Sequence, residues 1–134
     1  MLDAAGLEFD PALIRSDQFD VAPGARHAHE LLTSTNPPSA IMAADDEIAV
    51  GAVAAAHSHG IRVPDQLSVT GFDDTPQAAW TTPPPSTVHQ HLEGVGRVAG
   101  ATVLAMADGH RPASRHLELT TSLTIRDSTG EEPL

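Results

Sequence analysis

The chain has 134 residues, 40% of them hydrophobic, and sets 18 acidic side chains against 7 basic ones for a formal net charge of -11. That length suffices for one domain, which buries roughly 68% of its unfolded surface without needing a metal or a disulfide. Every cation is Arg, so Schiff-base chemistry and a phosphate-loop lysine are excluded, and the acidic balance repels nucleic acid. No run of eighteen apolar residues could span a membrane, and Met1 to Gly6 lacks the basic and apolar regions of a secretory signal. With no Cys, these features make a cytoplasmic chain the expectation.

In chain order, Leu13 to Phe19 predicts a short strand. Pro23 suits a first helical turn, and a helix over Ala25 to Leu32 stops at Asn36-Pro37-Pro38. The apolar run Ala40 to Ala44 predicts a strand covered on both faces. Asp46 then caps a helix over Glu47 to His57, which ends at Gly60 with Pro64 beyond. Leu67 to Thr70 is the next strand. A Pro-rich loop over Thr81 to Pro85 comes after it, with Trp80 packed beneath, and Ser86 to Val88 is extended. A third helix over Leu92 to Met106 carries an apolar face, Leu117 to Arg126 predicts one or two strands, and 128–134 reads as a frayed acidic tail. Strands alternating with helices give an α/β fold, a parallel sheet with helices on both faces, over residues 1–127.

Two acidic pairs stand directly after strands: Asp45-Asp46 and Asp73-Asp74. In parallel sheets, ligands bind beyond the carboxyl ends of the strands. Asp45 and Asp73, the first residues past their strands, are expected side by side in that crevice as hydrogen-bond acceptors. Asp46 and Asp74 are read as caps of the next helix and the next turn. A magnesium site would want a nearby Lys or Arg, and none is adjacent in sequence. Residues two apart on a helix face different ways, so His27/His29 and His57/His59 do not readily share a metal; His89 and His91 could do so on a strand, but no nearby Cys or fixed His spacing completes a tetrahedral site, and all three pairs are read as solvated ends. No metal or cofactor is expected.

Four blocks together carry a resemblance, the last being Gly96 with its helix to Gly109. Pro38-Ser39-Ala40-Ile41-Met42-Ala43-Ala44-Asp45-Asp46-Glu47-Ile48-Ala49-Val50-Gly51-Ala52 resembles the P-T-A-x-x-A-x-N-D-x-x-A-x-G-A block of LacI/GalR-type transcription regulators. Val63 to Asp74 resembles their V-P-x-D-[IV]-S-V-x-G-[FY]-D-[DN], and Pro83 to Gln90 resembles P-P-L-T-T-V-x-Q. The blocks stand in order at family spacing, over about residues 5 to 127.

The resemblance implies one subdomain of a periplasmic-binding-protein-like type I fold: the carboxy-terminal, effector-binding and dimerising half of a regulator's sensor. The DNA-binding domain and the amino-terminal subdomain are not in this stretch. It implies that Asp73 hydrogen-bonds a small-molecule effector, a sugar or similar metabolite, and that Phe19 covers the effector's apolar face. It places Leu92 on the cleft, and Asp45 where the family usually has Asn, so an acceptor is kept and an amide donor lost. Val50, Val53 and the segment from Gln77 to Thr81 match the family's homodimer interface. The helix over 47–57, apolar almost all round, is expected to need a partner on its second face. Two other readings stand beside this one: a periplasmic-type sugar-binding protein, and a small Asp-dependent hydrolase or phosphatase. The second lacks a nucleophile elbow and a neighbouring base, so the chain is not expected to be an enzyme.

Overall fold

The computed structural model describes residues 6, 9–112, 114 and 116–131. Its first helix, α1 (Val21–Leu32), begins four residues ahead of expectation because Asp20, in extended backbone, caps it by accepting from Ala22 N at 3.4 Å. Strand β1 (Ala40–Met42) leads into helix α2 (Asp46–Ser58), and β2 (Ser68–Thr70) comes next. Then come β3 (Thr87–His89), helix α3 (Leu92–Ala107) and β4 (Ser122–Thr124).

β1 and β2 pair in parallel, Ile41 opposite Val69. Parallel bridges from Thr70 to Ser86 and from Asp73 to His89 set β3 alongside β2, and β4 closes antiparallel on β3 with Val88 opposite Leu123. The carboxyl ends of β1, β2 and β3 therefore share one edge. The core beneath is built of small side chains: Ala28, Ala43, Ala49, Ala52 and Ala56 with Val53, Leu67 and Val69.

Small residues also let α1 and α2 come unusually close. A Cβ added to Gly24 would stand 2.7 Å from Ile48 O; one added to Gly51 would stand 2.6 Å from Ala25 N and nearer still to Val21 O. Both contacts lie near the helix starts, and His29 in the last turn of α1 meets His59, the C-cap of α2, so the two helices run in the same sense, both beginning at the carboxyl edge of the sheet. Much of the apolar surface of α2 is thus covered by α1. Val53, expected at a dimer interface, is only 5% exposed and packs in this core.

Several expected elements differ. Residues 13–19 form no strand: Pro11–Leu13 make a 3-10 turn capped by Asp10, and the residues after it are exposed. Ion pairs, Arg15 to Glu30 at 3.1 Å and Asp17 to Arg26, tie that segment to α1 in place of a ladder. β1 is consequently an edge strand, and Met42 on it is exposed. Of residues 117–126 only 122–124 pair. The tail does not fray where it is described: Ser128 is fully buried, its carbonyl accepts from Val69 N at 2.9 Å, and its hydroxyl accepts from Ser86 N at 2.7 Å. Residues 132–134 lie outside the described residues. Trp80 is exposed rather than tucked under the loop. No residue of α3 is buried, so its apolar face faces no core within this chain. Among the described residues no helix is long and apolar enough to cross a membrane.

Candidate functional site

The site grows from the shared carboxyl edge. Past β1, Asp45 takes extended backbone, and its Oδ1 accepts from Ile48 N at 2.7 Å. Asp45 is therefore the N-cap of α2, the role expected of Asp46. A cap must accept from the amide two or three residues on, and only the first Asp of the pair has the non-helical backbone this needs. Asp46 instead opens the helix and points inward. It is fully buried, accepts from Thr75 N at 2.6 Å and Thr75 Oγ1 at 3.1 Å, and takes Thr87 Oγ1 at 2.6 Å. One carboxylate thus fastens the loop after β2 and the start of β3 to α2.

That fastening shapes the second pair. Asp73 and Asp74 both have positive φ, 105° and 60°, in a region where Asp is among the few side chains tolerated. Asp73 N donates to Val88 O at 2.9 Å, and the Gln90 side-chain amide donates to Asp73 Oδ1. Asp74 is no turn cap. Its carboxylate pairs with Arg126, accepts from Thr124 Oγ1 at 3.2 Å and meets His89 Nδ1 at 2.8 Å. Partial burial alone would raise the Asp74 pKa; the hydrogen bond and charge of Arg126, with His89 and Thr124, outweigh it and hold the carboxyl below its usual value.

Asp45 and Asp73 thus stand at the ends of adjacent parallel strands, on one edge as expected. Each has its Oδ1 engaged within the chain, and among the described residues neither Oδ2 has a hydrogen bond. Phe19, exposed just ahead of the α1 cap, and Leu92, half exposed at the first position of α3, lie at the same edge because each opens an element that starts there. The edge is an open wall. A cavity of about 940 Å³ lies instead between α3 and residues that include Arg111, Leu117 and Leu119; Val98 and Thr102 line it, and Gln90, bonded to Asp73, stands at its border with the acidic residues. Of the expected interface residues, Gln77 is exposed, Val50 is half-buried on the outer side of α2, and the Thr81 hydroxyl donates to Ala78 O at 2.9 Å.

Sequence reasoning missed Gln90 and Arg126. Gln90 sits inside the block resembling the family's and carried a signal; Arg126 lies 52 residues from Asp74 and carried none.

Residues 1–129 match the family described as periplasmic binding protein-like domain. The chain belongs to this family. Among relatives of this periplasmic binding protein-like domain, the HTH-type transcriptional regulator DegA of Bacillus subtilis (strain 168) is 37% identical over 129 residues, 96% of this chain and 38% of that protein. A solved transcriptional regulator CelR–cellobiose complex superposes with a TM-score of 0.87 at 31% identity, covering 95% of this chain and 39% of that one. The lac repressor dimer bound to operator and the anti-inducer ONPF superposes with a TM-score of 0.84 at 26% identity, covering 96% and 44%. The domain therefore spans under two fifths of the length of the curated relative.

Proposed function

We propose that this chain is the effector-binding and dimerising half of the sensor of a LacI-type transcription regulator, working in the cytoplasm, and that it is not an enzyme. The observation that carries this is the pair Asp45 and Asp73, on adjacent strand ends, each with Oδ1 held internally and, among the described residues, no hydrogen bond to Oδ2; Asp45 is nearly buried and Asp73 is the more accessible of the two. Held so, a carboxylate accepts a hydrogen bond from a hydroxyl without reorganising, which suits a polyhydroxylated ligand such as a sugar. Phe19 supplies an apolar surface for the sugar's flat face, and Leu92 closes the rim. The relative solved with cellobiose supports the ligand class.

In this reading, the exposed apolar side of α3 seats the part of the sensor that this chain does not span, and the outer side of α2 around Val50, with Gln77 and Thr81, meets a second copy. The likeness to a repressor solved as a dimer supports the second contact.

One wall of a cleft binds weakly. We expect a Kd near millimolar, on the order of -4 kcal/mol, for a matching sugar. The test is an NMR titration of the chain with cellobiose and a panel of mono- and disaccharides. Amide shifts should concentrate at residues 45–48 and 71–75 and vanish in Asp73→Ala. Micromolar affinity would mean that the chain holds a complete site; shifts confined to other regions would overturn the assignment.

A further inference from the structure

The histidines at the far end of the helix pair have no part in the proposed sensor. We propose that His29 and His59 form a two-histidine site for a divalent transition-metal ion of the zinc class, where the carboxy-terminal ends of α1 and α2 converge.

His29 lies in the last turn of α1 and His59 is the C-cap of α2. Their facing nitrogens, His29 Nδ1 and His59 Nε2, are 2.7 Å apart, and the ring centroids 4.8 Å. Each comes from a different His-x-His pair. The helical twist turns His27 away to Asp17 and Glu30, at 3.3 and 3.5 Å, and leaves His29 facing the neighbouring helix. Spacing within one pair forbids a shared ion; the parallel helix contact supplies the second donor.

Without an ion, one ring must donate to the other. A metal replaces that proton and lets both nitrogens act as acceptors. Tetrahedral zinc with bonds of about 2.0–2.1 Å sets two ligand nitrogens about 3.3 Å apart. The rings need open by about half an ångström, and both residues are exposed and free to turn.

Electrostatics favour a cation at this spot. The parallel packing brings two helix carboxyl ends together, each carrying the negative pole of its dipole, on a chain of net charge -11. The scaffold is also stiff, because Gly24 and Gly51 set the helices in backbone contact. Among the described residues no third His, Cys, Asp or Glu joins the pair. Water completes the coordination, so the site holds an exchangeable ion. Imidazole donors select zinc, copper or nickel over magnesium or calcium.

The test is calorimetric titration of the full chain with zinc chloride, alongside thermal melts with and without zinc. We expect one ion per chain, a loss of affinity of at least tenfold in His29→Ala and in His59→Ala, and no change in His116→Ala. Zinc should raise the melting temperature of the parent chain but not of either variant. Both substitutions are at exposed positions; His29→Gln and a far-ultraviolet spectrum guard against a folding defect. No binding at millimolar zinc, or binding unchanged in both variants, would overturn the proposal. So would a loss seen only in His91→Ala, which would place the ion on the His89–His91 contact.

Discussion

Replacing Gly51 with Ala probes the contact on which the whole α1–α2 layer rests. In an isolated helix the change would help, since Ala is favoured over Gly by about 1 kcal/mol. Here the new methyl would meet Ala25 N at 2.6 Å and Val21 O closer still, and both are backbone atoms that no rotamer change can remove. Restoring ordinary contact requires the helices to part by about 1 Å, a gap that forfeits roughly a quarter to a half of each affected dispersion contact. Overpacking of this kind costs about 1–3 kcal/mol, and rigid backbone places it at the upper end. Set against the helical gain, the net loss is about 2 kcal/mol. With a urea m-value of about 2 kcal/mol/M, the midpoint should fall by about 1 M. Urea unfolding followed by circular dichroism measures this. Gly100→Ala is the control, because its Cβ would meet nothing within 4 Å and only the favourable propensity remains. A Gly51→Ala chain as stable as the parent would refute the close helix contact.

Asp46→Ala removes the acceptor of Thr75 N and Thr87 Oγ1 and should cost about 3 kcal/mol in the same assay, since each stranded buried donor costs about 1–3 kcal/mol; an effect below 1 kcal/mol would contradict the buried network. Asp74 has a lowered folded-state pKa, so its stabilisation is full above the ordinary carboxylate value and is lost as pH falls through the lowered one. Asp74→Asn should therefore flatten the acid limb of a plot of urea midpoint against pH, and an unaltered limb would assign it to other carboxylates. On the proposed dimer face, Val50→Asp should abolish concentration-dependent association in sedimentation, because two unpaired carboxylates would be buried together; a dimer indifferent to the change would exclude that face.

Much of the architecture was legible because it rests on local chemistry. The helices show in their stops and apolar spacing, and the parallel strands in the apolar runs that precede the acidic pairs. The features that escaped were decided at a distance. Asp45 and Asp46 are both able to cap, and the choice is made by Thr75 and Thr87, 29 and 41 residues away from Asp46. Asp74 looked like a turn residue until Arg126 supplied its counter-charge. The close seat of α1 on α2 was not legible, because Gly24 and Gly51 carry no apolar pattern of their own. Residues 13–19 have strand composition, yet composition does not supply a neighbouring strand. The edge position of Asp45 and Asp73 was legible from sequence, whereas the Gln90 bond that orients Asp73 was not.

The pairing of β3 with β4 has a topological consequence. His89 and Ser122 face each other in the ladder, so the chain departs and returns at a single doorway, with residues 90–121 hung outside it. None of α3 is buried, and among the described residues Gln90 to Asp73 is a tie from the excursion to the core. In polymer terms it is a very long hairpin loop. Replacing it by a four-residue turn shortens the loop about eightfold, three halvings at roughly 0.6 kcal/mol each, and so lowers the entropic cost of closure by about 2 kcal/mol. The sheet and the α1–α2 layer form a self-contained unit into which this arm is inserted, so a chain with the arm excised should still fold.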